Sequence, residues 1–293
     1  MKQTRLYAVF LICCAMCGAT MAKKLPEKQM MIQLYSVREL IGSPELYAKN
    51  HVEVFRQLRR YGITMVEGSD GSGFGVSPEQ FLADCQEAGL TPVSAHVGNE
   101  LTDEELSTGD FSKKLEWWKA KIDSHKRVGC RYMVTSWAPF PANLHDAQVW
   151  CNYHDEVGRM CREAGIKYGY HTHSHEYGKV EGQVWIDFMM QHIAPENMFW
   201  QMDVYWCVMA QESPVRWFRK YPGRFRLLHI KDKHEVGYSG MVGFDAIFRN
   251  ADVAGLEGYV VELENTDGTI GIMEGVRRSV EYLRKLPFVK NKY

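Results

Sequence analysis

The chain has 293 residues, 45% of them apolar and 24% charged, which excludes a disordered or fibrous protein and allows one large globular domain or two small ones. Lys and Arg number 35 against 36 Asp and Glu, a net charge of −1, so there is no basic surplus of the kind that neutralising a nucleic-acid backbone requires. Aromatics reach 12%, with 8 Trp and 15 Tyr, an amount that suits a protein holding planar or sugar-like ligands.

The start of the chain differs from the rest. Lys2 and Arg5 precede an apolar run over residues 6–20, which closes on Ala19-Thr20-Met21-Ala22 before Lys23-Lys24. That is the order of a secretory signal peptide, so residues 1–22 are expected to direct export and be removed, leaving residues 23–293 as a single domain in the periplasm or outside the cell. The apolar run of about 15 residues falls short of the roughly 20 that span a bilayer. Leu11-Ile12-Cys13-Cys14 is loosely similar to a lipoprotein processing site, which makes a lipid anchor the second option. Beyond the leader stand Cys85, Cys130, Cys151, Cys161 and Cys207, an odd number without close CxxC pairs. They form neither a disulfide framework nor a zinc ribbon and are expected to be buried filler.

Along the chain, β-rich runs at residues 30–36, 64–69, 92–97, 131–137, 167–173, 198–205, 225–231 and 259–264 predict eight strands. Helical periodicity fills residues 45–61, 78–88, 112–128, 144–164, 214–221, 244–254 and 270–286, and several of these segments stop at a glycine: Gly62, Gly89, Gly129, Gly165 and Gly255. Eight alternations over this length predict a (β/α)8 TIM barrel. A doubly wound open sheet is the alternative, but the first strand runs into Tyr35-Ser36-Val37-Arg38 without a GxGxxG turn.

Reactive groups in such a barrel come from the C-terminal strand ends, and here those ends are polar. Strand three ends in Ser94-Ala95-His96, strand five in His171-Thr172-His173-Ser174-His175-Glu176, and strand six in Asp203-Val204-Tyr205-Trp206. Strand seven ends in His229-Ile230-Lys231-Asp232 and strand eight in Glu262-Leu263-Glu264-Asn265. Buried carboxylates close together are costly unless something positive sits among them, and a divalent cation is the usual solution. Asp203, His229, Glu262 and one group from strand five make a four-ligand N/O set suited to Mn2+, Zn2+, Co2+ or Fe2+.

The runs Asp203-Val204-Tyr205-Trp206, Tyr221-Pro222-Gly223-Arg224-Phe225-Arg226-Leu227-Leu228-His229-Ile230-Lys231-Asp232 and Val260-Val261-Glu262-Leu263-Glu264 together resemble the xylose isomerase-like barrel superfamily, the sugar phosphate isomerases/epimerases. Gln33-Leu34-Tyr35-Ser36-Val37-Arg38 and Tyr170-His171-Thr172-His173 resemble its first-strand and fifth-strand signatures. The resemblance covers nearly the whole chain after the leader. It implies a divalent metal at the barrel mouth and chemistry on a hydroxy-ketone or related polyol, with Asp203, His229 and Glu262 as ligands. Strand five departs from the pattern: many members carry Glu followed two residues later by His, where this chain has His171 and then His173. His171 is then the replacement ligand, with Glu176 as its competitor, and His173 takes the place of the base.

A metal that chelates a carbonyl oxygen and its neighbouring hydroxyl stabilises the enediolate formed when the adjacent C–H loses its proton. Reprotonation gives epimerisation or isomerisation, and expulsion of a β substituent gives elimination. His173, Glu264 and Lys231 are the candidate catalytic groups; His96, Tyr35, Arg38, Trp137 and Trp206 are the candidate substrate contacts. No cationic cluster for a phosphate stands out beyond Arg38 and Lys231, so an unphosphorylated sugar or glycoside, or its keto form, is expected. The readings are an exported metal-dependent sugar isomerase or epimerase, a lyase or hydrolase acting on a 3-keto-glycoside, and a sugar-binding barrel without turnover.

Overall fold

The computed structural model describes residues 30–289; the expected leader, with Cys13, Cys14 and Cys17, lies outside them. Eight parallel strands close a barrel: β1 (Met31–Gln33), β2 (Met65–Gly68), β3 (Thr91–His96), β4 (Tyr132–Thr135), β5 (Lys167–His171), β6 (Phe199–Asp203), β7 (Leu227–Ile230) and β8 (Gly258–Val261). Each strand pairs with its sequence neighbours, and β8 closes on β1. These are the eight expected segments; β3 keeps its length but begins one residue early, β8 also begins one residue early, and all but β3 are shorter than expected. β5 stops at His171 and β6 at Asp203, so His173 lies in a loop and Tyr205 and Trp206 start a short helix, Val204–Met209.

The helices return the chain from the top of one strand to the bottom of the next. Polar caps start them: Ser43, Ser77, Asn143 and Ser213 each accept a backbone N–H of the first turn. Gly62, Gly89, Gly129, Gly165 and Gly255 all have positive φ, where a side chain would be strained, which is why they end their helices. Two expectations change. Residues 244–254 form two short helices, Phe244–Arg249 and Ala251–Ala254, because Asn250 leaves the helical conformation and turns its side chain back onto the carbonyl of Ala246. A further helix, Trp185–His192, connects β5 to β6 and buries Trp185, Ile186, Phe188, Met189 and Met190. No helix among the described residues is long and apolar enough to cross a membrane.

The core lies between barrel and helices and takes up most of the aromatic surplus. Trp118, Trp150, Trp185, Trp200 and Trp217 are all fully buried, so five of the 8 Trp pack the core and are not available to hold ligands. Cys85, Cys130, Cys151, Cys161 and Cys207 are buried free thiols, and burial raises their pKa, so they are unreactive filler.

Inside the barrel, small apolar clusters, Met31, Met65, Val93 and Val260 in one and Tyr132, Val134, Phe199 and Leu227 in another, give way to polar side chains two residues further along several strands. Met31 is followed by Gln33, Met65 by Glu67, Phe199 by Gln201 and Asp203, Leu227 by His229, and Val260 by Glu262. A period of two keeps each pair on the same face of its strand, so the barrel's own geometry delivers these polar groups to its C-terminal end.

Candidate metal centre

Strand register brings the polar groups together. Asp203 stands opposite His229 across β6 and β7, His171 opposite Gln201 across β5 and β6, and Glu262 follows β8 directly, its N–H donating to Ile230. His171, Asp203, His229 and Glu262 each offer one donor atom, and the four atoms lie within 4.8 Å of one another. All four residues are buried. His229 Nδ1 is 2.9 Å from Glu262 Oε2, and His171 Nε2 is 4.0 Å from Asp203 Oδ2.

These residues fit a divalent cation. Metal–ligand bonds of about 2.1 Å place neighbouring donors about 3–3.5 Å apart, so the observed 2.9 and 4.0 Å need only small side-chain shifts. Asp203 Oδ1 caps the following helix by accepting from the N–H groups of Tyr205 and Trp206, but Oδ2 is buried with no hydrogen-bond partner among the described residues. Such an orphaned acceptor is costly unless a cation meets it.

The electrostatics agree with the geometry. Burial raises the Asp203 pKa to about 7, with Glu262 adding to the shift while Lys231 and His229 oppose it. Burial also works against the Glu262 charge, but the hydrogen bond and charge of His229, with Lys231, hold it down to about 2. His229 is raised to about 10, since Glu67 and Glu262 on its two nitrogens outweigh burial. Burial and the neighbouring imidazoles of His229 and His96 hold His171 well below the usual histidine range, so it is neutral and offers a lone pair.

Glu176, the competitor for the strand-five position, belongs to a separate group with His173 and His175. One of its oxygens accepts from the His173 backbone N–H at 2.7 Å, and the other meets the Tyr170 hydroxyl and His175 Nε2, each at 3.1 Å. It braces the loop after β5.

Two of the four, His171 and Glu262, line a cavity of about 730 Å3, and so do the candidate catalytic and substrate-contact residues Tyr35, Arg38, His96, Trp137, His173, Trp206, Lys231 and Glu264. Tyr35 and Trp137 are about half exposed at its rim. The Arg38 guanidinium lies 4.1 Å from the centre of the Tyr35 ring and donates to the Tyr35 carbonyl. Lys231 Nζ is 2.6 Å from Glu264 Oε2 and 3.7 Å from Glu262 Oε2, and it lies over the Trp206 ring. Burial depresses Lys231, but Glu262, Asp203 and Glu264 prevail and raise it, so it stays charged. His173 differs from a base that titrates near neutrality: burial, then His175 and Lys231, lower it to about 4, and its Nδ1 is buried without a partner.

Sequence reasoning missed two residues. Glu67, fully buried, accepts hydrogen bonds from Gln33, Ser94 and Gln201 and touches His229 and His96. Burial opposes its charge, yet His96 and His229 hold it well below the usual carboxylate range. The pairing of β2 with β3 slips between Val66 and Glu67, so Val93 is skipped and Ser94 stands opposite Glu67; the extra residue is in β3 and turns the Ser94 hydroxyl onto the Glu67 carboxylate. Glu67 sits at a strand end, where the rule that found the other carboxylates also applies. Gln201, the second, lies inside β6 and contacts His96, His171 and Glu67.

A closed parallel barrel with its ionisable groups gathered at the C-terminal mouth defines a TIM-barrel enzyme scaffold. The model of the xylose isomerase-like TIM barrel family matches residues 55–286, and the chain belongs to that family. It is similar to two solved structures from Parabacteroides distasonis, each described as a sugar phosphate isomerase/epimerase. One is 32% identical, covering 92% of this chain and 98% of that one, and the other is 30% identical, covering 90% and 100%; both have a TM-score of 0.81. A structure of the IOLI protein with a bound zinc atom shares the fold at 12% identity, covering 90% of this chain and 99% of that one, TM-score 0.66. No curated protein matches the chain. The fold is that of sugar isomerases and epimerases.

Proposed function

We propose that this protein is an exported, divalent-metal-dependent isomerase or epimerase of an unphosphorylated sugar. The observation that carries the reading is the set His171, Asp203, His229 and Glu262, gathered at the ends of four neighbouring strands with Asp203 Oδ2 left unpartnered among the described residues. These four residues would hold the ion, and the bound ion would supply the Lewis acidity that stabilises an enediolate.

The chain's own groups do the rest. His173, neutral at pH 7 and lining the cavity, accepts the proton from the carbon next to the carbonyl. Lys231, held between Glu262 and Glu264, donates to substrate oxygen, and Glu264 at the cavity wall returns or orients a proton. His96 adds a polar contact, while Tyr35, Trp137 and Trp206 offer ring faces to a sugar. Arg38 is the cavity-lining cation without an acidic partner among the described residues, which is thin provision for a phosphate and supports an unphosphorylated substrate. Export rests on the leader over residues 1–22.

A second reading, elimination of a substituent from a 3-keto-glycoside through the same enolate, is favoured by cavity size. At about 730 Å3 it lies in the range of clefts that enclose drug-sized ligands, about 300–1,000 Å3, and is larger than one pyranose needs. Incubation with a panel of keto-sugars and keto-glycosides in D2O with added divalent ion separates the two. Deuterium in recovered sugar without aglycone release is the expected result. Aglycone release assigns the lyase, and binding without either change assigns a sugar-binding barrel.

A further inference from the structure

His229 is held on both ring nitrogens: Nδ1 faces Glu262, which lines the cavity, and Nε2 lies 2.6 Å from Oε1 of Glu67, which is fully buried. The Glu67 carboxylate is ringed by donors, with Gln33 Nε2 at 3.0 Å, Gln201 Nε2 at 2.8 Å and the Ser94 hydroxyl. An ionised carboxylate only accepts, so the His229 nitrogen facing it carries a hydrogen. The same carboxylate orients Gln201. With its amide nitrogen on Glu67, Gln201 presents Oε1 to His171 Nδ1 at 3.1 Å and His96 Nε2 at 2.9 Å. A carbonyl oxygen also only accepts, so both of those nitrogens carry hydrogens. The three imidazoles form one cluster, with ring centres 4.4 to 5.2 Å apart.

We propose that Glu67 is a positioning residue that fixes, directly and through Gln201, where the hydrogens sit on His229, His171 and His96. Nε2 of His171 is thereby turned to the ion site as a lone-pair donor, Nδ1 of His229 becomes one when an ion displaces the hydrogen it shares with Glu262, and Nδ1 of His96 is left as an acceptor on a ring that lines the cavity. This rests on the metal reading of the site. The atoms so assigned are the ones that face the carboxylate ligands: His229 Nδ1 lies by Glu262 Oε2, and His171 Nε2 by Asp203 Oδ2. Loss of such an outer partner typically weakens metal binding 10–100-fold.

The test combines Glu67→Gln, which keeps volume but removes charge and half the accepting capacity, with Ser94→Ala, which removes one hydrogen bond to the same carboxylate and touches no imidazole. Metal-free protein is titrated with Co2+ and followed by its visible absorption. Glu67→Gln is expected to bind about 10–100-fold more weakly, and Ser94→Ala within about twofold of wild type even where its melting temperature falls. A second readout needs no variant: ring-nitrogen correlation spectra of 15N-histidine-labelled, metal-free wild type should show the hydrogen of His171 on Nδ1 and that of His96 on Nε2. Opposite tautomers, or Glu67→Gln binding Co2+ as wild type does, overturn the proposal. A weakening in Ser94→Ala equal to that in Glu67→Gln reduces Glu67 to a structural role and overturns it as well. If wild type takes up no Co2+, the metal reading fails, and the same spectra recorded on Glu67→Gln still decide whether Glu67 sets the tautomers: they change if it does, and unchanged spectra overturn the proposal.

Discussion

Asp203 divides its two carboxylate oxygens between two tasks: Oδ1 caps the helix Val204–Met209, and Oδ2 faces His171 Nε2 at 4.0 Å with no hydrogen-bond partner among the described residues. Asp203→Asn separates the tasks, because an amide oxygen still caps the helix. The variant is expected to fold with a melting temperature within a few degrees of metal-free wild type and to lose bound metal. Elemental analysis beside circular dichroism checks both, and wild-type metal content in this variant contradicts the ligand assignment.

His173→Asn removes the cavity imidazole placed to take the substrate proton. Its backbone N–H, which donates to Glu176, is retained. Exchange of substrate hydrogen with solvent should fall about 10²–10⁴-fold, the usual contribution of a positioned base, at unchanged metal content. Exchange at the wild-type rate excludes His173 as the base.

His154 links acid sensitivity to the core. It is fully buried, with Nδ1 on the Tyr168 hydroxyl at 2.7 Å and its ring stacked on Trp150, and burial lowers its pKa to about 3. The unfolded chain therefore takes up a proton near the ordinary histidine value that the folded chain refuses. Stability from this group is complete above pH 6.5 and is lost as pH falls towards 3, at up to about 1.4 kcal/mol per pH unit. His154→Asn should be less stable at pH 7 yet lose less between pH 7 and pH 5. Urea midpoints at the two pH values check this, and equal losses in both proteins refute it.

Gly158 lies inside the helix Leu144–Glu163, where Ala would ordinarily gain about 1 kcal/mol. Here a Cβ would run into the backbone carbonyl of Asn197, just ahead of β6. Gly158→Ala should therefore destabilise, by about 1–3 kcal/mol as overpacking does, and a melting temperature at or above wild type would show that the contact yields.

The eight strands were legible because β-rich runs alternate with helices stopped by glycine, and Asp203, His229, Glu262 and His171 because each is a polar residue at or near the end of an apolar run. The helix Trp185–His192 was not, since it is only eight residues long and its polar side is reduced to Asp187, Gln191 and His192 beside the buried Trp185, Ile186, Phe188, Met189 and Met190, too few to set a period. Glu67 reads as one carboxylate in a four-residue strand; its inward aim follows from Met65 two residues before it, but the slip at Val93 that sets Ser94 opposite it shows only in the paired strands. Gln201, flanked by Trp200 and Met202, carries no charge to mark it, and its role exists only beside His96, His171 and Glu67 of three other strands.

An anomalous-scattering map of crystals grown with Mn2+, Co2+, Zn2+ or Fe2+ tests the central claim most directly. One peak is expected among His171, Asp203, His229 and Glu262, within about 2.0–2.3 Å of a donor atom from each. A map with no peak there for any of the four ions, from protein freed of chelator, would contradict it.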